Sequence, residues 1–198
     1  MIESLDKLVQ LLARMPGVGR RSAEQMAWSL ARDPAGLTKE LSAVLAEVAL
    51  RVTTCTRCGN VTVRTEDPCR LCTDTRRDDK MLCVVEDPSD ILMIEKAGIF
   101  RGRYHALMGK LSPMRGEGPS TIRVDALLAR IKPEGIQEVI LALNADMESD
   151  ATGSFLREAL ASQHVKITQL ARGLPTGSGI GYADRTTLAR ALEHRQAV

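Results

Sequence analysis

The sequence predicts an α/β protein built from several modules. Three observations carry that reading: apolar residues at helical spacing through residues 3–52, two close cysteine pairs between 55 and 72, and strand patterns alternating with helix patterns from Met81 onward. Residues 3–13 place Leu5, Leu8, Val9 and Leu12 on one side of a helix, which Met15-Pro16-Gly17-Val18-Gly19 interrupts. A second helix follows, with Ala23, Met26, Ala27 and Leu30 on one face. Thr38 is placed to cap a third, rich in Leu, Ala and Val, that runs to about Val52. After the cysteines and the polar stretch 73–80, Met81–Val85 reads as a short buried strand, and Asp87-Pro88-Ser89 opens a helix to about Lys96. Further on come a strand at Tyr104–Met108, a Gly/Pro-rich loop over 109–119 and a helix around Thr121–Ile131. The strand Glu138–Leu143, a helix from about Thr152, a strand at Val165–Leu170 and a last helix over Asp184–His194 complete the pattern. Such alternation gives a parallel, Rossmann-like sheet covered by helices.

Composition narrows the function. Over 198 residues, 27 Lys and Arg stand against 25 Asp and Glu, a net charge of only +2. A protein that coats nucleic acid by charge alone is more basic, so any nucleic-acid surface must be local or repeated over several copies. No apolar run is long enough to span a bilayer, and the first residues lack the basic start and apolar stretch of a secretory signal. Paired cysteines suit a reducing compartment, so the expectation is a cytoplasmic protein with no membrane partner.

The cysteines form C-x2-C, ten residues, C-x2-C: Cys55, Cys58, Cys69 and Cys72. Each pair can place two thiolates on one ion, and the loop between them lets the pairs converge tetrahedrally. Four thiolates leave no open position, so the expected zinc is structural, standing in for a core that so short a segment cannot build. Gly59 suits the turn after the first pair. A redox role is disfavoured because neither pair is expected to begin a helix after a strand. Cys83, inside an apolar strand, reads as a small hydrophobe.

The stretch from Leu12 to Met26 resembles a helix-hairpin-helix motif. Gly17 and Gly19 allow a sharp turn and a close approach to a phosphate, the amides opening the second helix face it, and Arg20 and Arg21 add charge there. Val18 packs between the helices, and Arg14 is either a further contact or a solvated residue. Backbone contacts of this kind carry no base code. The competing reading is an ordinary helical turn broken by Pro-Gly.

In the α/β half, Glu86 follows the first strand, and Asp146, Glu148 and Asp150 follow the strand at 138–143. Both sets lie beyond strand C-termini on one rim. A Glu after one strand with D-x-[DE] after a later one resembles the Toprim domain, where such acids hold Mg2+ for phosphoryl transfer.

Taken together, the hairpin, four-cysteine site, Toprim pattern and short tail resemble the bacterial RecR family of recombination mediators over nearly the whole chain. The stretches that carry this are Met15-Pro-Gly-Val-Gly with Ser22-Ala23, Val84-Val-Glu86-x-Pro88-x-Asp90, Tyr104-His-Ala-Leu-Met-Gly-Lys-Leu-Ser112-Pro113-x-x-Gly116-x-Gly118-Pro119, and Leu174-Pro-Thr-Gly177 with Tyr182-Ala-Asp184-Arg-Thr-Thr187-Leu188. The expected organisation is a hairpin and subunit-contact region at 1–53, a zinc finger at 55–72, a Toprim domain at 80–175 and a helical tail at 176–198. The resemblance implies a protein without catalytic residues. It implies rings, usually tetramers, that clamp double- and single-stranded DNA in the nucleoid and act with RecO and RecF to load RecA on gapped DNA. In the family the N-terminal helices and the tail make subunit contacts, a role that fits the face of Leu5, Leu8 and Leu12. It also implies that Glu86 and Glu148 belong to a surface for RecO.

One departure matters. Family members commonly read Asn-Pro-Thr-x-Glu-Gly-Glu-Ala-Thr after the long strand, whereas this chain has Asn144-Ala-Asp146-Met-Glu148-Ser-Asp150-Ala-Thr152. The added carboxylate leaves two readings of Glu86, Asp146 and Glu148: a partner surface or a weak Mg2+ site without turnover. Asp150 is either part of that rim or the cap of the next helix. His105, His164 and His194 lack ligand spacing and read as structural or solvated, while Gly177, Gly179 and Gly181 precede no Gly-Lys-Ser/Thr. The alternatives to a DNA clamp are a metal-dependent Toprim nuclease and a small adaptor whose zinc module binds protein.

Overall fold

A computed structural model describes residues 2–171, 173, 174, 177, 179–193 and 195. His194, and Pro175 and Thr176 of the tail, lie outside the described residues. The chain divides into two compact units, 1–53 and 54–198.

In the first unit, α1 (Glu3–Leu12) and α2 (Arg20–Arg32) pack on each other. Leu5, Val9 and Leu12 of α1 pack on Ala23 and Ala27 of α2, whose small side chains admit the neighbouring helix, and Val18 seals the connecting turn. Met26, expected on that face, lies at its edge and stays exposed. The face of Leu5, Leu8 and Leu12, expected to meet another subunit, is instead largely used inside the pair, because α2 covers it.

Helix α3 (Leu37–Arg51) starts after Gly36 rather than at Thr38, and Asp33 serves its first amides. The Asp33 carboxylate accepts from the amides of Gly36 at 3.1 Å and Leu37 at 2.9 Å, while Thr38 Oγ1 turns back to donate to the Leu30 carbonyl at 2.6 Å. No residue of α3 is buried; Leu41, Val44, Leu45 and Val48 repeat at helical spacing and remain exposed.

Strand β1 (Val52–Thr54) spans the division between the units. The cysteine segment adds β2 (Val61–Val63) and the single-turn helix α4 (Arg70–Thr73). The rest is a parallel sheet of β3 (Met81–Val85), β4 (Arg103–Ala106), β5 (Glu138–Ala142) and β6 (Lys166–Gln169), in the order β4-β3-β5-β6. Register pairs Val84 with His105 on one side and with Leu141 on the other.

The helices α5 (Pro88–Ala97), α6 (Val124–Ile131), α7 (Met147–Leu160) and α8 (Arg185–Glu193) complete the fold. Strand alternation explains the two cores. Leu82, Val84, Val139 and Leu141 face α6 and α7, whereas Cys83, Val85 and Tyr104 face α5 through Ile91. Cys83 is thus a small buried residue, its thiol pushed up to about 12 by burial.

Helix α7 begins five residues earlier than its apolar pattern indicates. Asp146 is extended and its Oδ1 accepts from the Ser149 amide at 2.9 Å, so Asp146, and not Asp150, is the cap. Asp150 instead pairs with Arg190 of α8 at 2.8 Å. Among the described residues, no helix is long and apolar enough to cross a membrane.

Candidate functional site

The hairpin is built from residue preferences. Gly17 takes φ +76°, a left-handed turn that a side chain resists, and the Val18 amide donates to the Met15 carbonyl at 3.1 Å. Gly19 then enters α2 with extended backbone and no side-chain cap. The first amides of any α-helix have no intrahelical acceptor, so those of Arg20, Arg21 and Ser22 point outward at the positive end of the helix dipole. A Cβ placed at Gly17 or Gly19 would meet nothing within 4 Å, so the approach is open. Arg20 and Arg21 are exposed; Arg20 touches Glu24 only at 3.3 Å, and with Arg14 it lines a groove between α1 and α2.

The four cysteines converge. All four sulfurs lie within 4.8 Å of one another, with Cys55 Sγ and Cys72 Sγ 3.9 Å apart and Cys58 Sγ and Cys69 Sγ 3.5 Å apart. Local bonds shape the ligands. Cys55 donates its amide to the Asn60 carbonyl at 2.7 Å, Gly59 turns with φ +79°, and the Cys69 amide points at Cys55 Sγ at 3.3 Å. The second pair opens a helical turn, α4, that follows the short 3-10 turn Arg64–Glu66 rather than a strand, and its sulfurs face the first pair. Four buried thiols cannot all ionise unaided: hydrogen bonds from Cys58 and Cys72 hold Cys69 down to about 2, while Cys58 is pushed up to about 12, chiefly by its contact with Cys69. A dication removes that conflict. The cysteines are positioned to bind one metal ion, and the closed, all-sulfur donor set suits zinc.

This module is braced against the sheet. Arg57, inside the first cysteine pair, donates to Glu134 Oε1 at 3.0 Å and to the Cys72 carbonyl at 3.2 Å. Glu134 also takes two hydrogen bonds from Arg130, at 2.9 and 3.0 Å. Burial alone would raise the Glu134 carboxyl, but these guanidinium groups hold it down to about 2. The Ala106 amide donates to the Cys58 carbonyl at 2.7 Å, and Arg123 reaches the Thr56 carbonyl at 2.9 Å. Fully buried His105 sits beneath, between the Arg123 carbonyl and Arg130, and burial draws its pKa down to about 3.

On the rim beyond β3 and β5, every predicted acid is engaged. Glu86 Oε1 and Oε2 accept from the amide and side chain of Asn144, at 3.1 and 2.7 Å. Asp146 Oδ1 is the α7 cap, and its Oδ2 meets Lys110 Nζ at 2.7 Å. Glu148 accepts from Ser112 Oγ, pairs with Lys110 at 3.3 Å and pairs with Arg115 at 3.1 Å. A divalent ion of the Toprim type needs open carboxylate oxygens converging on one point. Among the described residues, only the cysteines form a group of three or more potential ligands close enough to share an ion. The rim acids do not fit Mg2+ as they are arranged.

Comparison with known proteins follows this division. Residues 5–49 match the family model "RecR, helix-hairpin-helix", 80–171 match "Toprim domain" and 173–196 match "RecR, C-terminal". The "Recombination protein RecR" of Moorella thermoacetica is 45% identical over 193 residues, covering 98% of this chain and 96% of that one. The chain belongs to the RecR family. The RecR proteins of Sphingopyxis alaskensis and Thermobifida fusca are 44% and 43% identical, each over 98% of this chain and 97% of their own. RecR membership supports a role in DNA recombination and repair.

Against this RecR frame, sequence reasoning missed Lys110, Arg115 and the Arg57–Glu134 brace. No local spacing signals a pair separated by 77 positions. Lys110 lies in a stretch that also marks the family, but its partners follow only from the fold.

Proposed function

We propose that the chain is a non-catalytic, sequence-independent clamp on double- and single-stranded DNA. In this reading it assembles as a ring, a tetramer by family resemblance, and works in the cytoplasm on the nucleoid. With RecO and RecF it promotes RecA loading on gapped DNA. The observation that carries the reading is the start of α2: an uncapped helix end beside Gly17 and Gly19, with Arg20 and Arg21 exposed. Such an end receives phosphate oxygens without reading bases.

One hairpin neutralises few phosphates and holds weakly at cellular salt; several copies on one DNA make later contacts intramolecular. The exposed face of Leu41, Val44, Leu45 and Val48 supports self-association, since apolar residues repeated along one helix face gain by being covered. Zinc at Cys55, Cys58, Cys69 and Cys72 would supply structure only, because no coordination position stays open. Glu86, Asp146 and Glu148 form a protein-facing rim, for which RecO is the proposed partner. Engagement of their oxygens by Asn144, Lys110, Ser112 and Arg115 weighs against the nuclease alternative.

The test is DNA retention measured against salt, with mass in solution recorded alongside. Arg20→Ala/Arg21→Ala keeps the oligomer but weakens binding, lowering the slope of log affinity on log salt by about 1 for each phosphate that is no longer neutralised. Unchanged retention and slope in that variant rejects the hairpin as the DNA site. Divalent-dependent cleavage abolished by Glu86→Gln would favour the nuclease.

A further inference from the structure

The place where a Toprim rim would gather a divalent cation is crossed here by a side chain that is itself a cation. Lys110 follows Gly109, whose amide donates to the Glu86 carbonyl at 3.0 Å, and precedes Leu111, whose amide donates to Thr152 Oγ1 of α7 at 2.9 Å. Those two bonds fix the backbone on either side of Lys110. Its ammonium then reaches Asp146 Oδ2 at 2.7 Å and Glu148 Oε2 at 3.3 Å, and only 23% of the side chain is exposed. Arg115, later in the same loop, closes on Glu148 from the other side at 3.1 Å, and Ser112, completely buried, takes the remaining Glu148 oxygen.

We propose that Lys110 is a resident, tethered cation that excludes divalent metal from the Glu86–Asp146–Glu148 rim and straps the loop over 109–118 onto α7. An ammonium on a four-carbon stem satisfies carboxylates at hydrogen-bond distance without demanding geometry. Mg2+ or Mn2+ would need the same oxygens drawn in to about 2.1 Å in an octahedral set. With Asp146 Oδ1 committed to the α7 cap and both Glu86 oxygens to Asn144, the oxygens at Asp146 Oδ2 and Glu148 Oε2 are the ones within reach of an incoming ion, and Lys110 holds them. The Asp146 contact, above all, keeps the ammonium protonated beyond its ordinary range, while Lys110 and the Ser149 amide hold the Asp146 carboxyl down to about 2. Asp146 is also the carboxylate by which this chain departs from the common family reading. The added negative charge is answered within the chain.

Mn2+ titration of the zinc-loaded full-length protein, read by the electron paramagnetic resonance of the free ion, tests the proposal without DNA or a partner. Its outcome is therefore independent of the clamp reading. The wild type takes up no Mn2+ that depends on Asp146, shown by comparison with Asp146→Asn. Lys110→Met gains Asp146-dependent Mn2+ binding at least tenfold tighter than any uptake by the wild type, Lys110→Met/Asp146→Asn loses that gain, and Lys110→Arg behaves as the wild type. Equal Mn2+ affinity in the wild type and Lys110→Met overturns the proposal. So does Asp146-dependent Mn2+ binding by the wild type, an arm that needs no Lys110 variant to fold.

Discussion

Two groups beside the four-cysteine module, buried His105 and part-buried Glu134, set an acid limit on stability. His105 is held neutral, its pKa drawn from an ordinary 6.5 to about 3 by burial, opposed in part by its hydrogen bond to the Arg123 carbonyl. An unfolded chain takes up the proton that folded His105 refuses. Stability from this site is therefore complete above about pH 6.5 and drains as pH falls toward 3. Glu134, lowered from 4.5 to about 2, contributes above its ordinary range and is lost only as pH falls from 4.5 toward 2. The two windows separate the groups. Urea unfolding should show stability declining between pH 6.5 and 4.5 in the wild type and flat over that interval in His105→Gln; a slope that persists in the variant would assign it elsewhere. The spacing of the histidines gives His105 no ligand pattern and does not say what it does. Its role depends on Arg130 and Arg123, which only the fold brings to it.

At the scale of the element, the hairpin's two glycines do different work. Gly17 needs its left-handed backbone, so Gly17→Ala costs the first unit about 1 kcal/mol in thermal or urea unfolding. Gly19 has ordinary backbone and open space, so Gly19→Ala costs only the difference between Gly and Ala as the α2 N-cap, about 0.5 kcal/mol, and weakens DNA retention by putting a methyl group where a phosphate would lie. Equal loss of stability in both would show that Gly19 serves the fold and not an approaching backbone. Helix cores, the cysteine pairs and β3 are legible in the sequence because each is a local period or spacing. Helix starts are less so. Asp33, not Thr38, serves the amides at the start of α3, and Asp146 takes the cap of α7 from Asp150, because the choice depends on which carboxylate the entering chain swings under the first amides.

At the scale of the whole molecule, the four-cysteine segment and the α/β sheet are one mechanical piece. The brace runs from Arg57 through Glu134 to Arg130, with the Cys58 carbonyl bonded to Ala106. Chelating the metal should therefore be felt in the sheet. Hydrogen exchange at the Ala106 amide accelerates on chelation, while α1 and α2, with their own core of Leu5, Val9, Leu12, Ala23 and Ala27, keep their protection. Unchanged Ala106 exchange after metal removal would mean that the brace stands without the ion. This coupling is the part of the architecture that the sequence conceals most, since its members are scattered from 56 to 134 and each, taken alone, reads as a surface charge or a loop residue.

The same brace covers one edge of the sheet. A sheet's outermost strand ordinarily offers free amides and carbonyls to a passing chain. Here the Tyr104 carbonyl is held by Arg130, the Ala106 amide by Cys58 and the Ala106 carbonyl by Arg123, so β4 has little left to zip with. Extension of the sheet by another strand is therefore hindered on that flank.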